Sequence, residues 1–236
     1  MKKFLILFLM SCSVITTLAQ VNQEFMQLQK KANAGNAKAQ CELADCYWYG
    51  EKGVAINYEQ AAIWYSKSAK QNYAPALVAY GMCYIMGKGV PPVAYRAVEE
   101  FTKAAKLGDS DGLYYLAGCY LEGRGVSLDQ KKAFELFQKS ADKGNEYAYT
   151  SMGECYYYGK GVKRNYAEAV KWFLKNAESD EPMAYAMYHL SRCYRFGRGE
   201  ETDEKKAEYW QNKAIAYDSD GQVIDGIKQL EKELKD

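Results

Sequence analysis

Residues 116–144 read LAGCYLEGRGVSLDQKKAFELFQKSADKG, and this stretch decides the fold because versions of it recur along the chain. At its centre is a Gly-x-Gly-Val turn at residues 123–126, whose counterparts begin at Gly50, Gly87, Gly159 and Gly197. The first counterpart is one residue longer and the last lacks the valine. Successive first glycines are 37, 36, 36 and 38 residues apart. Self-similarity at this period predicts an array of helical units, each of which buries its apolar face against its neighbours.

Within each unit the sequence predicts two helices joined by a tight turn. Helix A of the third unit should end near Glu122, where Gly123 and Gly125 turn the chain because glycine tolerates positive φ. Asp129 should then cap helix B, which ends before Gly144. Four units carry a capping residue four positions before a helix-B alanine, namely Asn57, Asp129, Asn165 and Asp203. Val93 stands at this position in the second unit and cannot form a side-chain cap.

Aromatic residues follow the helix-B alanines by three or four positions and are expected to fill the space between units. These aromatics are Trp64, Phe101, Phe137, Trp172 and Trp210. Truncation of Trp64 or Trp172 to alanine is therefore expected to cost about 3–5 kcal/mol of stability.

The pattern resembles the Sel1-like repeat family, relatives of the tetratricopeptide repeats. The family motif runs roughly A-x-x-x-L-G-x-x-Y-x-x-G-x-G-V, then an acidic or amide residue, A-x-x-W and A-A-x-x-G. The third unit matches it at Leu116, Tyr120, Gly123, Gly125, Val126, Asp129, Ala133, Ser140, Ala141 and Gly144. The resemblance covers residues 36–218 and implies an all-α, right-handed α-solenoid of five helix–turn–helix repeats.

The predicted organisation has a signal peptide, two helical caps and five repeats. The signal covers residues 1–19 and the N-terminal capping helix residues 20–35. The repeats cover about 36–72, 73–108, 109–144, 145–180 and 181–218, and a C-terminal capping helix covers 219–236. The match weakens in the fifth repeat, where Glu200 replaces valine and two extra residues precede helix A near Pro182.

The first residues predict export across the inner membrane of a bacterium. Lys2 and Lys3 precede an apolar run over residues 4–10 that is too short to span a bilayer, and residues 17–19 favour cleavage before Gln20. The expected location is periplasmic or secreted. Residues 9–12 also resemble a lipobox, so a lipoprotein anchored through Cys12 stays open, as does an uncleaved anchor. No later segment is apolar enough to span a membrane.

The net charge of +1 becomes −1 if Lys2 and Lys3 are removed with the signal. A charge near zero gives no sign of a nucleic acid partner or of an electrostatically bound membrane.

Five cysteines occupy one repeated position, just before the helix-A tyrosine, at Cys46, Cys83, Cys119, Cys155 and Cys193. Equivalent positions on stacked helices lie about 8–10 Å apart, whereas a disulfide needs Cα atoms within about 7 Å. The resemblance adds that disulfide-linked relatives carry two cysteines per repeat. We interpret these thiols as small buried apolar residues and expect no metal or cofactor.

The sequence offers no catalytic set. His189 is the one histidine, and no acidic or nucleophilic partner can be assigned to it. We expect it to lie at the surface or between helices. The Gly-x-Gly pairs end helices, whereas a dinucleotide-binding fingerprint follows a strand. The chain is therefore predicted not to be an enzyme.

In tetratricopeptide-like arrays the A helices line the concave face, and the same register carried over here predicts a partner-binding surface. Its residues are Trp48, Tyr49, Met82, Tyr114, Glu154, Tyr157, Tyr158, Tyr188, Arg192 and Arg195. Tyrosine, tryptophan and arginine dominate interface hot spots. Within this set, Tyr188, Arg192 and Arg195 suggest an anchor for a carboxylate, such as a peptide C-terminus.

The sequence thus favours an exported, non-catalytic scaffold or adaptor that binds a protein or peptide on its concave face. One alternative is a cell-envelope binder of peptidoglycan fragments or other glycans, because an aromatic groove also suits sugar rings. A weaker alternative is a hydrolase, since some secreted relatives have been linked to β-lactam hydrolysis. A homodimer formed through the end caps also stays open.

Overall fold

The computed structural model describes residues 21–218, 221 and 223–226, and every regular element in these residues is helical. This confirms the all-α class. The predicted signal peptide, Cys12 and most of the predicted C-terminal cap lie outside the described residues. Among the described helices, none combines the length and the apolar character that crossing a membrane requires.

The helices alternate between the predicted A and B types. Helix α1 covers residues 21–33 and precedes the first repeat. The A helices are α2 (Ala37–Tyr49), α4 (Ala74–Met86), α6 (Ser110–Glu122), α8 (Glu146–Tyr158) and α10 (Ala184–Phe196). The B helices are α3 (Tyr58–Ala69), α5 (Ala94–Lys106), α7 (Gln130–Asp142), α9 (Tyr166–Ala177) and α11 (Glu204–Tyr217). Residues 223–226 form a further helical turn.

Above the level of the single repeat, the chain divides between Gly112 and Leu113 into two compact parts, which we call the first unit and the second unit from here on. In the first unit, α2 packs on α3, α3 on α4 and α4 on α5. In the second unit, α7 packs on α8, α8 on α9, α9 on α10 and α10 on α11. Thus α3 contacts the A helices on both sides of it, α2 and α4, and α9 likewise contacts α8 and α10.

The turn between helices A and B repeats the same backbone hydrogen bonds. In the fourth repeat, the Lys160 amide donates to the carbonyl of Cys155 at 2.9 Å, and the Asn165 amide donates to the carbonyl of Tyr156 at 2.9 Å. The fifth repeat retains both bonds, from Arg198 to Cys193 and from Asp203 to Tyr194. The valine that Glu200 replaces is therefore not needed to form the turn.

The predicted caps of the B helices are confirmed. Asn57, Asp129, Asn165 and Asp203 each accept a hydrogen bond from the backbone amide three residues later, at 2.9–3.2 Å. Each bond satisfies one of the amides that a helix N-terminus leaves without an intrahelical partner. Val93 occupies the N-cap position just before α5 and forms no side-chain cap, because its side chain is apolar.

The second glycine of the turn lies against the backbone of the preceding B helix. A Cβ atom added to Gly161 would stand 2.0 Å from the carbonyl oxygen of Gln130, the first residue of α7. Gly89 has the same relation to Tyr58 at the start of α3, also at 2.0 Å, and a Cβ atom at Gly199 would stand 2.4 Å from the carbonyl carbon of Tyr166 at the start of α9. Only glycine permits this approach between successive repeats.

The aromatic core departs from the prediction in the fourth repeat. Phe173, four residues after Ala169, is fully buried, whereas Trp172 is only half-buried. Trp172 lies beside Tyr149, with ring centroids 5.9 Å apart, and beneath the ammonium of Lys175. The assignment of Trp172 as the core aromatic was therefore wrong, because its side chain points about 100° around the helix from that of Phe173.

Helix-A glycines make room for these core rings. A Cβ atom at Gly153 would stand 2.4 Å from the ring of Phe173, and one at Gly81 would stand 2.5 Å from the ring of Phe101. The small residue on helix A and the large ring on helix B are thus complementary within one repeat.

All six cysteines among the described residues are buried and unpaired, including Cys41 and the five at the repeated position. Burial raises the pKa of the Cys83, Cys155 and Cys193 thiols to about 12. These side chains are therefore neutral, apolar packing elements at neutral pH.

We predict that Gly161→Ala destabilises the protein more than Gly144→Ala does. Both glycines have positive φ, a conformation that costs alanine about 1–2 kcal/mol. A Cβ atom at Gly144 meets no atom within 4 Å, but one at Gly161 clashes with backbone and should add about 1–3 kcal/mol. Urea unfolding followed by circular dichroism measures the difference. Equal midpoints for the two variants would contradict the role assigned to the second glycine.

We also predict that Phe173→Ala costs about 3–5 kcal/mol, because it empties a fully buried ring site. Trp172→Ala serves as the adjacent control and should cost about 1 kcal/mol, since its ring is half-exposed. Thermal and urea unfolding of both variants tests this order. A larger loss for the tryptophan would restore the original assignment.

Candidate binding surfaces on the A helices

The A helices of three repeats end in a large apolar residue that is exposed. Tyr49 ends α2 and is 64% exposed, Met86 ends α4, and Tyr158 ends α8 and is 46% exposed. These residues follow the buried repeated cysteine by three positions. The repeat thus places apolar side chains at the same exposed position in both units.

In the first unit, the predicted surface residues pack against a B helix and a turn lysine. The Trp48 ring contacts the ring of Tyr58 edge-on, with centroids 4.9 Å apart, and the Lys88 ammonium lies 5.5 Å from the Trp48 ring centroid. Tyr65 donates a hydrogen bond to Asp45 at 2.6 Å. Burial raises the pKa of the Asp45 carboxyl, which the Tyr65 hydrogen bond opposes. Trp48 and Met82 are half-buried.

In the second unit, α6, α8 and α10 carry a set of side chains that we call the aromatic patch. It consists of Tyr114, Tyr147, Glu154, Tyr158, Tyr185 and Arg192. Tyr114 and Tyr147 are in ring contact, with centroids 6.0 Å apart. Tyr185 forms a side-chain hydrogen bond with Glu154. Burial raises the pKa of the Tyr158 and Tyr185 hydroxyls, so both stay protonated at neutral pH.

His189 lies beneath the aromatic patch and is only 1% exposed. Its ring stacks on Phe173 at 4.8 Å, with an interplanar angle of 9°, and meets Tyr185 edge-on at 4.6 Å. Neither ring nitrogen has a hydrogen-bond partner among the described residues. Burial lowers the pKa of His189 to about 3, helped by the positive charges of Arg192, Lys160 and Arg198. The imidazole is therefore neutral at neutral pH.

The three residues predicted to anchor a carboxylate are not equivalent in the structure. Arg195 forms an ion pair with Glu204 at 3.0 Å, and Tyr188 is buried and donates to the carbonyl of Gly226 at 3.2 Å. Arg192 is half-buried, and its guanidinium lies 5.7 Å from the Tyr188 ring centroid. Its Nε atom is buried without a hydrogen-bond partner in the part of the chain that the structure describes.

Tyr157 also differs from the exposed position that its register predicts. It is 3% exposed, and its hydroxyl accepts a hydrogen bond from Arg198. Its ring packs against Tyr166, Phe173 and His189. Tyr157 thus belongs to the core beneath the patch, while its neighbour Tyr158 stands at the surface.

Sequence reasoning did not anticipate the buried aromatic surroundings of His189. A signal for them was present, since Tyr185, His189 and Arg192 are spaced by four and three residues and so share one face of a helix. What the spacing could not supply was the contribution of Phe173 and Tyr157, which come from other helices.

We predict a histidine-dependent loss of stability in acid. Between pH 6.5, the ordinary pKa of histidine, and about pH 3, His189 is protonated in the unfolded chain but stays neutral in the folded protein. As the pH is lowered through this range, the free energy of unfolding of the wild type should therefore decrease by up to about 1.4 kcal/mol per pH unit more than that of His189→Phe. Urea unfolding at steps from pH 7 to pH 4 measures both proteins. Parallel curves would contradict the burial of a neutral imidazole.

A Sel1 repeat family model matches residues 37–73, 74–109, 110–145, 146–180 and 184–216. Chitin synthase regulatory factor 3 of Schizosaccharomyces pombe is 31% identical over 75 residues. That alignment covers 31% of this chain and 8% of the fungal protein.

Solved structures show the same architecture. One neighbour is c5321, a protective antigen of uropathogenic Escherichia coli with an SLR fold, at 33% identity and a TM-score of 0.74. It matches over 81% of this chain, which spans 40% of c5321. A Sel1 repeat protein from Oxalobacter formigenes is 27% identical, with a TM-score of 0.73, over 89% of this chain and 84% of that one. These likenesses confirm the predicted α-solenoid, and with five matched repeats the chain belongs to the Sel1 repeat family.

Proposed function

We propose that this protein is an exported, non-catalytic adaptor that binds a protein or peptide segment on the exposed faces of its A helices. The observation that carries the proposal is the aromatic patch. It combines exposed tyrosine rings with one carboxylate and one guanidinium on a surface built from successive A helices. Tyrosine and arginine supply much of the binding energy at protein interfaces, because they bury a large area at a low cost in conformational entropy.

The scaffold beneath the patch suits this role. The ring of Tyr158 is supported by His189, at a centroid distance of 5.9 Å, and by Tyr157 at 4.9 Å. Because the supporting rings are themselves buried, the exposed Tyr158 ring is held in place before a partner arrives. Such preorganisation reduces the ordering cost of binding.

The first unit offers a second contact surface of the same kind. Tyr49 and Met86 are exposed at the ends of α2 and α4, and Trp48 lies beside Lys88. The fungal relative is named a regulatory factor, which also fits a protein that acts by binding.

Export is proposed from the N-terminal sequence, with a mature chain that begins at Gln20. The proposed partner is therefore a protein or peptide of the bacterial cell envelope. The exposed tyrosines also fit sugar rings, so peptidoglycan fragments are the other ligand class to test.

We predict that a patch variant loses the partner that the mature protein captures from cell-envelope extract. The variant carries Tyr158→Ala, Tyr185→Ala and Arg192→Gln, which remove exposed rings and the guanidinium but leave the buried rings Tyr157 and Phe173 in place. Affinity capture with mass spectrometry identifies the proteins, and titration calorimetry with the purified candidate should show a loss of at least about ten-fold in affinity.

The matched control carries Tyr95→Ala and Tyr209→Ala, which remove two exposed tyrosines from the B helices α5 and α11. This control should bind like the wild type, and both variants should keep the wild-type circular dichroism spectrum. Equal capture by the patch variant would place the interface elsewhere. Absence of any specific protein, together with binding of muropeptides, would replace the adaptor proposal with the glycan one.

A further inference from the structure

Arg192 is a charged group of the aromatic patch that lacks a counter-ion among the described residues. Arg195, three residues further along α10, likewise has a buried Nε without a partner in the described residues, but its guanidinium differs in forming an ion pair with Glu204 at 3.0 Å. The Arg192 guanidinium lies near the ring of Tyr188, and its charge acts over longer range on Tyr158, His189 and Cys193. A half-buried guanidinium that forms no ion pair with a described residue has donors left for a planar anion, a group that arginine commonly binds in a bidentate manner.

His189 provides a second, independent observation at the same place. It lies three residues before Arg192 and so shares its face of α10. Its two nitrogens are buried without partners in the described structure. A neutral imidazole offers one donor and one acceptor, and leaving both unused in an apolar site is unfavourable. Aromatic rings surround it, including Tyr158 and Tyr185, which are the exposed members of the cluster.

The local charge favours an anion. Three cations influence His189, namely Arg192, Lys160 and Arg198. Arg198 is engaged with the Tyr157 hydroxyl, and the Lys160 ammonium lies 5.1 Å from the Tyr158 ring centroid. The carboxylate of Glu154 is also nearby. It hydrogen-bonds with Tyr185, and its negative charge acts on the hydroxyls of Tyr114 and Tyr158. Positive charges therefore outnumber negative ones where the unpartnered donors stand.

We infer that Arg192 and His189 form an anchoring subsite for the C-terminal carboxylate of a bound peptide. Arg192 binds the carboxylate, and His189 hydrogen-bonds the terminal residue, which presents a carboxylate acceptor next to an amide donor. The last side chain packs on the rings of Tyr158 and Tyr185. The exposed ring of Tyr185, which meets His189 edge-on, rotates to open the imidazole, a side-chain change of the kind common on binding. The inference rests on the proposed peptide-binding function and specifies the ligand group.

The sole histidine of the chain makes the test direct. Mature protein with an isotope-labelled imidazole and a histidine-free tag gives one histidine signal by NMR. The probes are two pools of N-acetyl tripeptides ending in phenylalanine, leucine or tyrosine, one with free carboxylates and one amidated. We predict that the free acids shift the His189 signal in a saturable manner. The amides should bind about 10–100-fold more weakly, the usual effect of losing a charge-assisted hydrogen bond.

Two arginine variants on the same helix provide the matched comparison. Arg192→Gln should weaken binding of the free acids by a similar factor, whereas Arg195→Gln should leave it unchanged, because Arg195 is paired with Glu204. Circular dichroism melting of each variant shows that it is folded. A third probe, N-acetyl-Ala-Asp-Ala-amide, carries its carboxylate on a side chain and should bind as weakly as the amidated pool.

Equal binding of acids and amides, no shift with either pool, or equal losses in the two arginine variants would overturn the inference. Tight binding of the aspartate probe would overturn the assignment to a C-terminus. Failure here is distinguishable from failure of the proposed function. A partner lost from the patch variant but retained by Arg192→Gln would leave the adaptor standing without this subsite.

Discussion

The close approach of the second turn glycine to the preceding B helix is the constraint on which the repeats depend. At Gly89, Gly161 and Gly199 the backbone lies so near the first residue of that helix that no Cβ atom fits. Two polar backbones in contact leave little freedom in the spacing of successive repeats. The A helix that precedes each turn is thereby placed against the B helix behind it, and the side chains of both must be complementary, as Gly153 and Phe173 are.

Because the backbone of the turn is responsible for the geometry, the partly exposed positions of the A helices are free to vary. The residue before the repeated cysteine is in turn Asp45, Met82, Gly118, Glu154 and Arg192. The side chain at this position is therefore acidic in the first and fourth repeats, apolar in the second and basic in the fifth, and the glycine of the third repeat has none. A fixed scaffold with variable surface positions is how repeat proteins acquire distinct partners.

Local chemistry made much of the fold predictable, because caps and glycine turns depend on neighbours in sequence. Asn57 and Asp129 cap their helices through amides three residues away. The site was less predictable because it depends on helix rotation, where one position changes direction by about 100°. That rotation buries Phe173 and exposes part of Trp172, and it buries Tyr157 while Tyr158 reaches the surface. The pairing of Arg195 with Glu204 joins two helices and has no local signal.

The fifth repeat departs most from the family pattern, and these departures coincide with its unusual polar groups. Ser191 stands where Gly81 and Gly153 receive a ring, Glu200 replaces the valine, and extra residues precede α10. The same helix carries both ring nitrogens of His189 and the Nε of Arg192, which are buried without partners in the described residues. A chain that satisfied folding alone would place apolar groups there. Local conflict with folding rules is expected where a surface is kept for binding, so the departures themselves favour α10 as the site of recognition.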